Sequence, residues 1–209
     1  MIACIDGWWW PESDVRARPV ITGDCDAAIA ELLPHVRSRS CIVQAGGNVG
    51  VYPIALAKHF DRVVTVEPDP ENYACLWRNA LAHDAEVRVE ARHAAFGERG
   101  GTCRVVEVEP NNCGAHRVEP DGGLVMLTID SLMLNGCDAI WLDVEGYELP
   151  ALKGASLTIE RFSPTICIED KGLDKVYGAP PGASVNWLGQ FGYRQVGKIG
   201  RDRVFTRNA

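Results

Sequence analysis

The sequence has no Cys-x-x-Cys pair, no Gly-x-Gly-x-x-Gly run, no long basic block and no internal repeat. No apolar stretch approaches the ~18 residues of a membrane span. Each absence removes a class of function. Without thiols at metal or disulfide-framework spacing, the eight cysteines are expected to be free, with Cys41 and Cys167 buried inside apolar runs. The N-terminus shows no basic region before an apolar stretch, so no secretory leader is expected, and a cytoplasmic compartment is implied. The net charge is -7 and the arginines are scattered (Arg16, Arg18, Arg37, Arg39, Arg99, Arg104, Arg201, Arg203 and Arg207), which disfavours a nucleic-acid partner. With 209 residues, 46% of them hydrophobic, the chain can build one sizeable core.

What is present alternates. Residues 1–20, with Trp8, Trp9 and Trp10, read as an irregular lid or strap, because a tryptophan triplet is not left wholly in water. A helix is expected over 22–37, capped by Thr22 or Asp24, with Ile29, Leu32, Leu33 and Val36 on one face. Strand signals fall at 41–45, 63–66, 87–89, 103–108, 125–129, 140–144 and 165–168. Helical signals fall at 51–59, 72–81, 149–159 and 185–191. A terminal hairpin pairs 193–198 with 202–206. Strands separated by helices imply a mostly parallel sheet covered on both faces, and the hairpin implies one antiparallel edge.

Two places carry chemistry. The first is Gly46-Gly47-Asn48-Val49-Gly50, between an apolar strand and a helix, followed by Glu67 at the end of the next strand. Glycines permit a tight turn and close backbone approach, free helical N–H groups point at the turn, and a carboxylate 21 residues beyond Gly46 can accept from both ribose hydroxyls. With Tyr52 near the position of a third glycine, a nicotinamide dinucleotide is disfavoured. Asn72 is expected to cap the following helix. His93 and Ala94 are placed to flank an adenine ring, with a plain surface-loop role open for His93. The second place is Asp143-Val144-Glu145-Gly146 at the carboxyl end of a buried strand, where ligands bind in open α/β sheets. Glu148 could cap or reach into the site, and Glu169 ends the next strand in the same way. Asp130 is read as capping a helix at 131–135.

Together these pieces resemble the FkbM family of S-adenosylmethionine-dependent methyltransferases. The resemblance lies in 44–50 (QAGGNVG), Val66-Glu67-Pro68, Asn79, 128–132 (TIDSL), 142–148 (LDVEGYE), 152–155 (LKGA) and 164–169 (PTICIE), and covers about residues 40–206. It implies a three-layer class I methyltransferase fold, an α/β Rossmann-like sheet of seven strands whose last strand is antiparallel. On this reading residues 1–38 are the strap and helix and residues 39–209 the catalytic domain. The resemblance also implies S-adenosyl-L-methionine as cofactor, held by Gln44, Gly46, Gly47, Asn48, Gly50, Glu67, Pro68, Asn72, His93, Ala94 and Asp143. Asp143, Glu145 and Glu169 face the methyl group and the acceptor, as a base or as ligands of Mg²⁺. His93 and His116 are weaker candidates for the base. The expected reaction is O-methylation of a small molecule or saccharide. A nucleic-acid methyltransferase and a non-catalytic cofactor-fold module stay open as alternatives, as does a homo-oligomer. Gln44 stands where the family has an acidic residue, and Trp141 stands beside the second motif.

Overall fold

The computed structural model describes residues 1–207, residues 19–24 by their backbone alone. The chain opens with strands β1 (Ile2–Ile5) and β2 (Trp8–Pro11) and helix α1 (Ala17–Leu32). Then follow β3 (Cys41–Ala45), α2 (Val51–Leu56), β4 (Arg62–Val66), α3 (Pro70–Ala82) and β5 (Val89–Arg92). Four short strands come next: β6 (Ala94–Phe96), β7 (Gly101–Glu107), β8 (His116–Pro120) and β9 (Leu124–Leu127). The last part holds β10 (Ala139–Leu142), α4 (Glu148–Lys153), α5 (Ser156–Phe162), β11 (Thr165–Glu169), α6 (Ala183–Gln190), β12 (Tyr193–Ile199) and β13 (Asp202–Arg207).

Seven strands form the main sheet in the order β12-β13-β11-β10-β3-β4-β5. Strands β3, β4, β5, β10 and β11 are parallel, and β12 and β13 complete an antiparallel edge. Alternation along each strand supplies a core on both faces. Ile42, Val63, Ala139, Trp141 and Val204 join one apolar layer with α1 and α2, while Val43, Val64, Ile140, Ile166 and Phe205 join the other with α4 to α6. The chain runs outward from β3 through β4 to β5 in one direction, and from β10 to β11 in the other. The carboxyl ends of β3 and β10 therefore flank the point where strand order reverses, which is where a crevice opens in such sheets.

Several local expectations change. Residues 1–11 are a β-hairpin, not an irregular strap, and it is clasped to α3 by Asn79. The Asn79 amide accepts from Trp9 N at 2.6 Å and donates to Trp9 O at 2.9 Å and Val49 O at 2.7 Å. Trp10 is buried, Trp8 stacks on His83 and the Arg78 guanidinium lies over Trp9. Helix α1 starts at Ala17, where the Asp14 carboxylate accepts from Ala17 N and Arg18 N; capping by Thr22 or Asp24 concerns side chains outside the described residues. Asp69, not Asn72, caps α3, accepting from Glu71 N and Asn72 N. The helix expected over 149–159 is two helices. The first ends at the Gly154 C-cap, a position that only glycine fits because a Cβ there would meet Gly97 O at 2.0 Å. Asp130 caps the second of them from a distance, accepting from Leu157 N, Thr158 N and Thr158 Oγ1, while its own segment is a single 3₁₀ turn.

Candidate active site

The glycine turn is built by contact between two strand ends. Asp143 N donates to Ala45 O at 3.1 Å, and Gly47 N donates to Val66 O at 2.9 Å. Gly46 has φ +85 and a Cβ there would lie 1.9 Å from Asp143 O, so the backbone of one motif rests on the backbone of the other. Gln44 props the turn from beneath: its amide donates to Ala45 O and Gly46 O and accepts from Thr65 Oγ1. Buried there, Gln44 holds the loop and does not line the cleft.

Above the turn lies a cleft of about 860 Å³, counted to its open mouth. Glu67, Pro68 and Asn72 line the end at β4, Glu145 and Tyr147 the end at β10, and Gly46, Gly47, Asn48 and Asp143 lie between, with Gly46 and Asp143 in backbone contact. Glu67 is buried and accepts from Asn48 N at 2.7 Å and Asp69 N at 2.8 Å. Burial pushes its carboxyl up to about 7 against the pull of those two amides. Each oxygen keeps acceptor capacity, since a carboxylate offers about four lone-pair sites. Gly50 sits at the head of α2 without lining the cleft. His93 and Ala94 lie outside the lining as well: His93 stacks on Tyr73 and hydrogen-bonds Pro68 O, and Ala94 is packed in the core. Their neighbours Ala95 and Phe96 line the cleft instead.

The roof comes from the segment joining β7 to β8. Cys113 O accepts from Asn48 Nδ2 at 2.9 Å and Asn72 Nδ2 at 3.0 Å, and Cys113 N donates to Asp14. This ties the N-terminal segment, the insertion and the glycine turn at one point. His116 Nδ1 lies 3.2 Å from Asp69 Oδ2, and this partner raises the imidazole pKa.

At the other end, Asp143, Glu145 and Glu169 bring carboxylate oxygens within 4.8 Å of one another. Lys171, whose role was not read from the sequence, stands among them with Nζ 2.8 Å from Glu145 and 2.7 Å from Glu169. Burial and the neighbouring Asp143 push the Glu169 carboxyl up to about 9 despite Lys171. Glu169 stands behind Asp143, and only Asp143 and Glu145 of the three line the cleft. Trp141 lies behind the cleft wall, packing edge-on to the lining residue Tyr52 and donating to Asp202, whose carboxyl is pushed up to about 7 by burial and Asp143.

The loop after Asp143 is held in an unfavourable conformation. Glu145 has φ +53 and Gly146 φ +100. Glu148 supports it from the interior, its Oε1 accepting from Val144 N and Gly146 N at 3.2 Å each. Burial pushes this carboxyl up from 4.5 to about 8. A folded state that keeps a proton the unfolded chain has released loses stability as pH rises between those two values. Thermal melts of the wild type are therefore expected to fall in midpoint from about pH 4.5 to about pH 8. Glu148→Gln, which keeps an oxygen acceptor without titrating, should reduce that slope, the remainder coming from the other raised carboxyls Glu67, Glu169 and Asp202. An equal slope in both proteins would remove Glu148 as its source.

A seven-stranded sheet with an antiparallel edge, and a glycine turn and two strand-end carboxylates at its switch point, define the class I methyltransferase fold. Solved structures share it. A precorrin-6y C5,15-methyltransferase from Geobacter metallireducens GS-15 is 11% identical with TM-score 0.55, over 97% of this chain and 93% of its own. A putative O-methyltransferase from Klebsiella pneumoniae is 15% identical with TM-score 0.50, over 95% of this chain and 84% of its own. Residues 123–194 match the methyltransferase FkbM domain family, the one the motifs resemble. The methyltransferase FkbM from Methylobacillus flagellatus KT is 20% identical with TM-score 0.56 over 80% of this chain, which spans 43% of that protein's length. No curated protein matches the sequence.

Among the described residues, no helix is long and apolar enough to cross a membrane.

Proposed function

We propose that the chain is an S-adenosylmethionine-dependent methyltransferase that methylates a hydroxyl of a small molecule or saccharide. The observation that carries this reading is the convergence of the Gly46 turn, buried Glu67 and Asp143 on one cleft. The residues fit the cofactor. Backbone takes the place of side chains at Gly46, Glu67 offers acceptor sites for ribose hydroxyls, and Asn72 Oδ1 is a buried acceptor without a partner. The cofactor, when bound, supplies an electrophilic methyl group. Glu67 and Asn72 would bind its adenosine part, and Gly46, Gly47 and Asn48 would line its path. Asp143 would take the acceptor's proton as general base, with Glu169 behind it as a positioning residue.

Oxygen ligands at Asp143, Glu145 and Glu169 suit Mg²⁺ in kind, but an ion would have to displace the Lys171 ammonium, so we assign the base to the carboxylate itself. The eight unpaired thiols support a reducing, cytoplasmic compartment, and the net charge of -7 supports a small acceptor over nucleic acid.

Calorimetric titration tests the reading. S-adenosylmethionine is expected to bind saturably and NAD not at all. Glu67→Ala should weaken the former by about 10- to 100-fold, the loss of one or two charge-assisted hydrogen bonds. Unchanged affinity in the variant would move the ribose away from Glu67, and binding of NAD alone would overturn the cofactor.

A further inference from the structure

Three buried side-chain polar atoms of the described residues have no hydrogen-bond partner: Asn72 Oδ1, His116 Nδ1 and Arg117 Nε. All three residues line the same cleft. The first is an acceptor that suits an adenosine, and the second has the charge of Asp69 nearby. Arg117 is different. It carries a permanent charge, and it is the only lysine or arginine among the described residues lining the cleft. No ion pair joins it to a carboxylate among the described residues: of the acids, Asp143 faces Glu169, and the others are engaged elsewhere. Glu145 and Glu169 bind Lys171, Glu119 binds Arg104, Glu148 holds the backbone of its own loop, and Glu67 holds Asn48 N and Asp69 N. Leaving a guanidinium partly desolvated and without a counter-ion is costly, and a ligand anion would relieve that cost.

Its place along the cleft says which part of a ligand it meets. Cys113, four residues before, is tied to Asn48 and Asn72 at the end with the glycine turn. Val118, the next residue, is tied through its carbonyl to the Tyr177 hydroxyl, and Tyr177 stands edge-on to Tyr147 in the loop after Asp143. Arg117 stands between His116, which reaches Asp69 at the glycine-turn end, and Val118, and its charge acts on the Tyr177 hydroxyl, which places the guanidinium toward the loop after Asp143. We propose that Arg117 is an anion-binding residue for the acceptor, so that the acceptor carries a carboxylate or phosphate close to the hydroxyl that is methylated. This rests on the methyltransferase reading of the cleft. An anion held there would orient the hydroxyl toward Asp143 and would balance the acidic end of the site.

Inorganic phosphate is the probe, titrated by calorimetry into wild type and Arg117→Gln, each with and without saturating S-adenosylhomocysteine. The expected result is saturable phosphate binding to the loaded wild type, weakened about tenfold or more in Arg117→Gln, with affinity for S-adenosylhomocysteine unchanged. Arg117→Lys, which keeps the charge, should recover part of the loss. Equal phosphate binding in wild type and Arg117→Gln, or none in either, overturns the subsite. Loss of S-adenosylhomocysteine affinity in Arg117→Gln, with phosphate excluded from the loaded wild type, would assign the guanidinium to the cofactor's own carboxylate and overturns it as well. If S-adenosylhomocysteine fails to bind the wild type, the methyltransferase reading falls, and the phosphate titrations without it decide the anion subsite independently. A melting curve of each variant confirms that it is folded.

Discussion

Gly46→Ala is expected to cost more than about 4 kcal/mol of stability or to abolish folding outright. Two costs add. At φ +85 an alanine side chain strains its own backbone, by about 1–2 kcal/mol. The larger cost is steric: the new Cβ would lie 1.9 Å from Asp143 O and 3.1 Å from Asp143 C. Neither contact can be relieved by a rotamer change, because both atoms belong to the backbone at the end of β10, which is paired on both sides in the sheet. The two strand ends would have to part, and with them the floor of the cleft. Gly50→Ala is the natural control. Its φ of +97 brings the same backbone strain, but its Cβ would meet Ile54 and Leu76 atoms no closer than 3.3 Å. Urea unfolding should therefore rank Gly46→Ala well below Gly50→Ala. A Gly46→Ala protein of wild-type stability would show that the two motifs do not bear on each other.

Asp143→Asn is expected to leave the fold intact and to lower turnover by about 10²- to 10⁴-fold, the range for loss of a general base. The side chain is exposed to the cleft and the amide is isosteric with the carboxylate, so the change creates no core cavity. A second effect is read without any acceptor. Asp143 is the second-largest cause, after burial, holding the Glu169 carboxyl up at about 9. With that charge gone, the Glu169 pKa should fall, a shift that carboxyl carbon NMR would follow. A stable variant with unaltered turnover would remove Asp143 as the base, and an unaltered Glu169 titration would show that the two carboxyls do not interact.

What the sequence determined by itself is the sheet and its strand-end chemistry. Near-continuous apolar runs at Ile42 to Ala45, Val63 to Val66 and Ile140 to Leu142 report burial on both faces. A glycine turn after the first of them and acids directly after the others put Gly46, Glu67 and Asp143 on one edge by the geometry of parallel strands alone. The terminal hairpin was legible too, because no helical segment separates its strands. Partners brought together by chain closure were not legible. Asn79 holds Trp9 from 70 residues away, Asp130 caps a helix 27 and 28 residues on, and Cys113 reaches Asn48 across 65 residues. Local propensity favoured Asn72 as a cap and an unbroken helix over 149–159. Tertiary contacts decided for Asp69, and for a break at Gly154 where Gly97 presses against it. Lys171 among the acids and Arg117 without one have the same origin. Periodicity tells which face a side chain takes within its own element, while the charge opposite it is set by elements far along the chain, and only the folded sheet places them.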